Sequence, residues 1–219
     1  LGFTGDFHFR HKYFEKNNFN ITFSNDIDPA PELVYNANQS FFRNHSLIRE
    51  DIKNIKIENI PDFDFLIAGF PCQPFSNAGS RKGLEDGRGT LYQSALNVVK
   101  QTKPRAVVFE NVRGILSFKK DGKLLIQEIC EELDDLGYNV TFSLIDASRH
   151  NVPQKRLRLF IVGIDKNEKK GKFAFPTPID RTDLTLKHTI LDLKKKALNQ
   201  NELMQLNPQA ITLGAMVPE

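Results

Sequence analysis

The stretch Phe63–Gly79 reads FDFLIAGFPCQPFSNAG. Its first part, an apolar run from Phe65 that is too short for a globular helix, has the character of a buried strand. Its second part breaks that strand, because Gly69, Pro71, Pro74 and Gly79 punctuate the backbone. Cys72 therefore stands where a strand leaves a sheet, with Pro71 and Pro74 restricting the chain around it. A chain with two cysteines places one of them on a stiff turn at a sheet rim.

The pattern on either side of this turn sets the fold class. Upstream, FNITFS (Phe19–Ser24) reads as a strand, and DIDPAPELVYNAN puts prolines where a helix begins. Downstream, TLYQSALNVVKQ (Thr90–Gln101) carries helical spacing at Leu91, Ala95, Leu96 and Val99. RAVVFENV (Arg105–Val112) is a strand with an apolar body and a polar end. KLLIQEICEELDDLGY places Leu124, Leu125, Ile129, Leu133 and Leu136 on one helical face, with Gly137 as the stop signal and Cys130 as a small core thiol bordering that face. YNVTFSLIDA and LRLFIVGI are two more strands, separated by the polar SRHNVPQKR. Strands alternating with helices predict an α/β domain with a mostly parallel sheet covered by helices on both faces.

Length and composition set the outer bounds. The 219 residues suffice for one main core, and 40% hydrophobic with 26% charged residues is ordinary globular usage. No stretch approaches the roughly 18 apolar residues of a membrane span, and LGFTGDFHFRHK lacks the basic-then-apolar order of a secretory signal. Two cysteines far apart do not make a disulfide framework, so a reducing, cytoplasmic setting is expected. A net charge of +3 permits nucleic-acid binding without arguing for it. His8, His11, His45, His150 and His188 do not pair with the cysteines at a zinc-ligand spacing, and no metal is expected. After Gly163 the chain turns polar and proline-punctuated, through DKNEKKGK and FAFPTPIDRTD to a lysine-rich stretch that reads as solvated surface.

In open α/β sheets ligands bind beyond the carboxyl ends of the strands. The polar residues there are Asp26, Cys72, and Glu110 with Asn111. Asp26 follows Gly5 by about the twenty residues that separate a phosphate- or cofactor-binding turn from the acid holding a ribose hydroxyl, which suggests a nucleoside-containing cofactor. Cys72 and Glu110 are the sharper pair. A thiolate is a strong nucleophile, and a carboxyl group beside a heterocycle nitrogen can exchange a proton with it. Together they suit addition to a ring followed by elimination.

These segments resemble those of DNA cytosine-5 methyltransferases. GFPCQPFS is similar to the family's proline-cysteine-glutamine segment, FENV to its glutamate-asparagine-valine segment, and PQKRLRLFIVG to its glutamine-x-arginine-x-arginine segment, in the family's order. SNDID, EDIKNI (Glu50–Ile55) and GRGTLY (Gly87–Tyr92) fit the intervening segments, and the match covers about residues 3 to 165. The resemblance implies a Rossmann-like methyltransferase fold and S-adenosylmethionine as cofactor. It implies that Cys72 attacks carbon 6 of a flipped-out cytosine in double-stranded DNA, that Glu110 holds ring nitrogen 3 and the exocyclic amine, and that Arg158, with Arg156 beside it, holds the carbonyl oxygen of the base. It assigns Phe3 and Gly5 to the first cofactor turn, Asp26 to the ribose hydroxyls, Ile27 to the adenine face, and Asp51 with Ile52 to the adenine edge. Gly79, Gly83, Gly87 and Gly89 would let their segment swing as a lid.

The chain departs from the family pattern in reading GDFHF where further glycines are usual. By the same resemblance, residues 1–176 are expected to form the catalytic domain and 177–219 to begin the connection to a target-recognition region. That region is not recognisable before Glu219, so a truncated, proteolysed or split enzyme is expected, the sequence-reading part sitting elsewhere or on a second chain. The implied setting is bacterial restriction-modification, in the cytoplasm and at the nucleoid. Transfer RNA as substrate, and a non-catalytic nucleic-acid-binding role, stand as alternatives.

Overall fold

The computed structural model describes residues 5–9, 12–38, 45–71, 91–120, 122–168 and 171–179. Cys72, Phe3, Pro74, the four lid glycines and residues 180–219 lie outside them. The chain divides into two units, Leu1–Ile145 with Leu157–Thr177, and Asp146–Arg156 with Pro178–Glu219.

The first unit is built on a four-stranded sheet. In chain order its elements begin with β1 (Phe7–Phe9), β2 (Lys12–Phe14), β3 (Asn25–Asp26), α1 (Pro29–Ala37), β4 (Ile48–Arg49) and β5 (Phe65–Ala68). They continue with α2 (Leu91–Thr102), β6 (Ala106–Val112), β7 (Lys119–Lys120), β8 (Lys123–Leu124), α3 (Leu125–Asp135), β9 (Tyr138–Asp146) and β10 (Leu157–Asp165). The main sheet has the order β5-β6-β10-β9. β5 runs parallel to β6, from Phe65 opposite Ala106 to Ala68 opposite Phe109. β10 runs antiparallel to β6, from Arg158 opposite Val112 to Ile164 opposite Ala106. The fold is the α/β class that the alternation of strands and helices predicts.

β6 shows why one face of the sheet is core. Successive strand residues point to opposite faces, and Val107, Phe109 and Asn111 are buried while Ala106, Val108, Glu110 and Val112 are half-buried. On the buried side lie Leu96 and Val99 of α2, Ile129 and Leu133 of α3, and Leu159 and Ile161 of β10, within one cluster. Ile129 and Leu133 are four apart and share a face of α3; each loses all solvent contact, which is worth about 1.5–3 kcal/mol per side chain. Cys130 packs at the margin of this cluster.

Two glycines have positions no other residue fits easily. Gly137, at φ +101°, ends the turn after α3, as its place in the sequence predicts. Gly163 lies where β10 passes β6 closely: a Cβ there would be 2.8 Å from Val107 Cγ2 and 3.2 Å from the Cβ of Tyr138.

The N-terminal part is thinner. β3 and β4 form a parallel pair of two residues each, Asn25 opposite Ile48 and Asp26 opposite Arg49. The expected strand Phe19–Ser24 is not one: pairing starts only at Asn25, because β4 offers a ladder of two residues. Phe19 instead rests its ring 5.8 Å from that of Phe65. α1 is capped by Asp28, whose carboxylate accepts from Ala30 N at 2.8 Å, and it buries no residue.

In the second unit, Asp146 accepts from the backbone N and the hydroxyl of Ser148, at 3.0 and 2.8 Å. Ala147 N donates to Arg156 O at 3.0 Å, and Ile179 N to Arg149 O at 2.7 Å.

Candidate active site

The carboxyl ends of β5 and β6 lie side by side because the two strands are parallel. Glu110 projects there from the face opposite the core. Arg158 opens β10 across from Val112, and Phe160 faces Glu110, so a period of two puts Arg158 and Glu110 on one face. Their side chains meet, Arg158 Nε donating to Glu110 Oε1 at 2.8 Å. Arg158 also donates through an Nη to Leu157 O at 2.8 Å, which fixes the plane of the guanidinium. Arg158 keeps 24% and Glu110 36% of its side chain exposed. An ion pair this open to water stabilises a fold by about 1 kcal/mol at most. Its position has to be explained by something other than stability.

Asn111, the next residue, faces the other way and is 3% exposed. Its amide donates to Phe70 O at 3.3 Å and its carbonyl accepts from Val112 N at 2.9 Å. Phe70 is held from the side as well, its ring 5.8 Å from Phe109 and 6.4 Å from Tyr92. The backbone leading from β5 toward Cys72 is thus tied to β6 up to Phe70. Gly69 lies just before it, where a Cβ would be 3.6 Å from Glu110 Oε2. Sequence reasoning placed Asn111 beside Glu110 but gave it no role. The signal was available: on the alternating core face Val107, Phe109, Asn111, the third residue is polar, and a buried amide needs partners.

The cofactor candidates fall on the β3–β4 pair. Asp26 ends β3, and its Oδ1 accepts from Asp28 N at 2.9 Å. Asp51 follows β4, and its Oδ1 accepts from Lys53 N at 3.0 Å. A carboxylate accepts at both oxygens, so each acid keeps Oδ2 for a hydroxyl or an amine. Ile27 is 65% exposed, an apolar side chain in water beside an acid; Ile52 is half-buried. Acids at the ends of adjacent parallel strands, with an uncovered aliphatic side chain between them in sequence, fit a nucleoside. Gly5 has φ +61°, and a Cβ on it would be 2.0 Å from Glu15 O. It precedes the antiparallel β1–β2 pair. Arg156 belongs to the second unit, where its carbonyl takes the Ala147 bond. Phe3 and Cys72 are outside the described residues.

Cys130 is chemically quiet. Burial pushes its thiol up to about 11, with a small addition from Glu131, so thiolate is scarce at neutral pH.

A model of the family of C-5 cytosine-specific DNA methylases matches residues 9–211. The chain belongs to this family. Among curated members it is 37% identical to the type II methyltransferase M.FnuDI of Fusobacterium nucleatum, over 84% of this chain and 52% of the relative. It is 35% identical to the type II methyltransferase M.NgoPII of Neisseria gonorrhoeae, over 90% of this chain and 58% of the relative. This C-5 cytosine methylase chain therefore spans about half the length of the curated relatives it matches. Among solved structures it is similar to a prophage-encoded DNA modification methyltransferase of E. coli, with TM-score 0.62, 24% identity, and coverage of 79% of this chain and 48% of the other. It is also similar to the Dnmt2 methyltransferase of S. pombe, with TM-score 0.53, 21% identity, and coverage of 84% and 51%. The fold is that of methyltransferases. No helix among the described residues is long and apolar enough to cross a membrane.

Proposed function

We propose that this chain carries the catalytic part of an enzyme that methylates carbon 5 of cytosine in double-stranded DNA, in a restriction-modification system like those of its type II relatives. The observation that supports it most directly is the Glu110–Arg158 pair, 2.8 Å apart at the carboxyl end of β6, beside the strand whose exit leads to Cys72. Cytosine presents a ring nitrogen and an amine on one edge and a carbonyl oxygen next to them, so an acid and a guanidinium side by side match that edge.

In this reading the Cys72 thiolate adds to carbon 6 of a flipped-out base, forming a carbon–sulfur bond. Glu110 faces nitrogen 3 and the amine, and Arg158 faces the carbonyl oxygen. As sulfur adds, negative charge develops in the ring, and Glu110, once protonated, and Arg158 donate hydrogen bonds to it. Carbon 5 then takes a methyl group, loses its proton to a base, and the electrons left behind expel the thiolate. S-adenosylmethionine, when bound, supplies that methyl as an electrophile on a sulfonium. Asp26 would hold its ribose hydroxyls, Ile27 the adenine face, and Asp51 with Ile52 the adenine edge, with Phe3 and Gly5 in the first turn. Residues 1–176 form the catalytic domain in this proposal and 177–219 start the connection to target recognition.

The test uses the full-length protein with tritiated S-adenosylmethionine, duplex DNA and competing transfer RNA. Label should enter DNA cytosine and vanish in Cys72→Ser, and a duplex containing 5-fluorocytosine should form a covalent adduct. Labelling of transfer RNA instead of DNA overturns the substrate, and undiminished transfer by Cys72→Ser overturns the mechanism.

A further inference from the structure

The β3–β4 pair has to hold two acids at a fixed separation, yet it is a ladder of two residues a side, and so short a pair is marginal by itself. Backbone bonds extend it by little: Ile48 N donates to Ser24 O at 2.9 Å and Glu50 N to Asp26 O at 3.2 Å. The side chain of Asn25 adds a second tie between the same strands. Its Nδ2 donates to Ile48 O at 3.0 Å and to Glu50 O at 2.8 Å. A carboxamide nitrogen has two hydrogens, and both are committed here.

The anchored carbonyl of Glu50 immediately precedes Asp51. Beyond it the turn is ordered by the Glu50 carboxylate, whose Oε1 accepts from Asp51 N and from Asn54 Nδ2, each at 3.0 Å. Asn54 N then donates to Asp51 O at 2.8 Å. Asn25 itself immediately precedes Asp26. One carboxamide therefore links the backbone on which Asp26 sits to the backbone on which Asp51 sits, and does so without a hydrogen left over for a ligand.

We infer that Asn25 is a positioning residue, which sets the distance between Asp26 and Asp51 and through it the affinity for the nucleoside portion of S-adenosylmethionine. The inference rests on the reading that these two acids face that group. The two hydrogens of the carboxamide are what the position requires, since aspartate would set a carboxylate against two carbonyl oxygens, serine has one hydrogen to give, and alanine none.

Binding of S-adenosylmethionine and of S-adenosylhomocysteine to the full chain, measured by calorimetry, tests it in Asn25→Asp, Asn25→Ser, Asp26→Ala and Asp51→Ala. Asn25→Asp should raise Kd at least tenfold and Asn25→Ser by less, while amide exchange in β6 stays as in the parent, which shows an intact core. In turnover with DNA, KM for S-adenosylmethionine should rise and kcat should hold. If the Asp26 and Asp51 variants weaken binding but Asn25→Asp does not, the role of Asn25 is refuted. If the Asp26 and Asp51 variants bind as tightly as the parent, the underlying reading of the acids fails instead. If Asn25→Asp lowers kcat and accelerates β6 exchange together, Asn25 is a general structural residue, and the inference is overturned.

Discussion

Glu110 and Asn111 are neighbours in the chain with opposite duties, and the difference follows from which way a strand points them. Glu110, half-exposed and paired with Arg158, contributes little to stability, since such pairs are worth about 1 kcal/mol or less. In the proposed reaction it handles a proton as charge develops, which is typically worth about 10²–10⁴ in rate. Glu110→Gln is therefore expected to lower kcat by at least about a hundredfold, with the denaturation midpoint nearly unchanged; steady-state kinetics and a urea melt check both halves. Cys130 gives a prediction in pH. Its folded value, about 11, lies above the ordinary 9.0. The unfolded chain thus releases this proton first as pH rises, and the stability the buried thiol contributes is fully present below pH 9 and lost progressively toward pH 11. Tyr138, pushed up to about 12 by burial, acts in the same sense at higher pH. Cys130→Ala should flatten the decline between pH 9 and 11 in melts recorded across that range; an unchanged slope would show that the thiol is not its source.

At the scale of elements, the pieces most plainly written in the sequence are those that bury the most. α2, α3, β6, β9 and β10 lie where the apolar spacing of Leu96, Val99, Ile129, Leu133, Val107 and Leu159 puts them, because these residues make the core. Phe19–Ser24 has strand-like residues too, but a strand needs a partner as long as itself, and β4 is two residues long. Partner length is not visible in a local pattern. The antiparallel β1–β2 pair is not legible for a related reason: between Phe9 and Lys12 the sequence offers neither glycine nor asparagine. Of the candidate site, the resemblance names Glu110 and Arg158 separately, each for its own part of a base, whereas their ion pair and the ties made by Asn111 and Asn25 depend on which strands become neighbours. β10 and β6 approach closely at Gly163. Gly163→Ala would place a methyl 2.8 Å from Val107 Cγ2, and overpacking of this kind costs about 1–3 kcal/mol. A fall of several degrees in Tm, with unchanged binding of S-adenosylmethionine, is the expected result in scanning calorimetry.

Across the whole chain, cohesion is uneven. The core cluster draws on α2, α3, β5, β6, β9 and β10, while α1 has no fully buried residue and, among the described residues, β3 pairs only with β4. Regions with few buried contacts open at lower free energy than the core. Amide exchange is accordingly expected to be slowest in β6, β10 and α3 and fastest in β3, α1 and β4. If the acids of β3 and β4 hold the methyl donor, saturating S-adenosylmethionine should slow exchange there more than elsewhere, and ligand at about a hundred times Kd adds about 2.7 kcal/mol to the states that bind it. Equal slowing throughout, or none at β3, would place the ligand elsewhere. The alternation along β6 has a genetic corollary. Losing or gaining one codon ahead of Glu110 would turn the acid inward to hydrocarbon and the amide outward to water, so length changes in this gene should be tolerated in the connections and almost never within that strand.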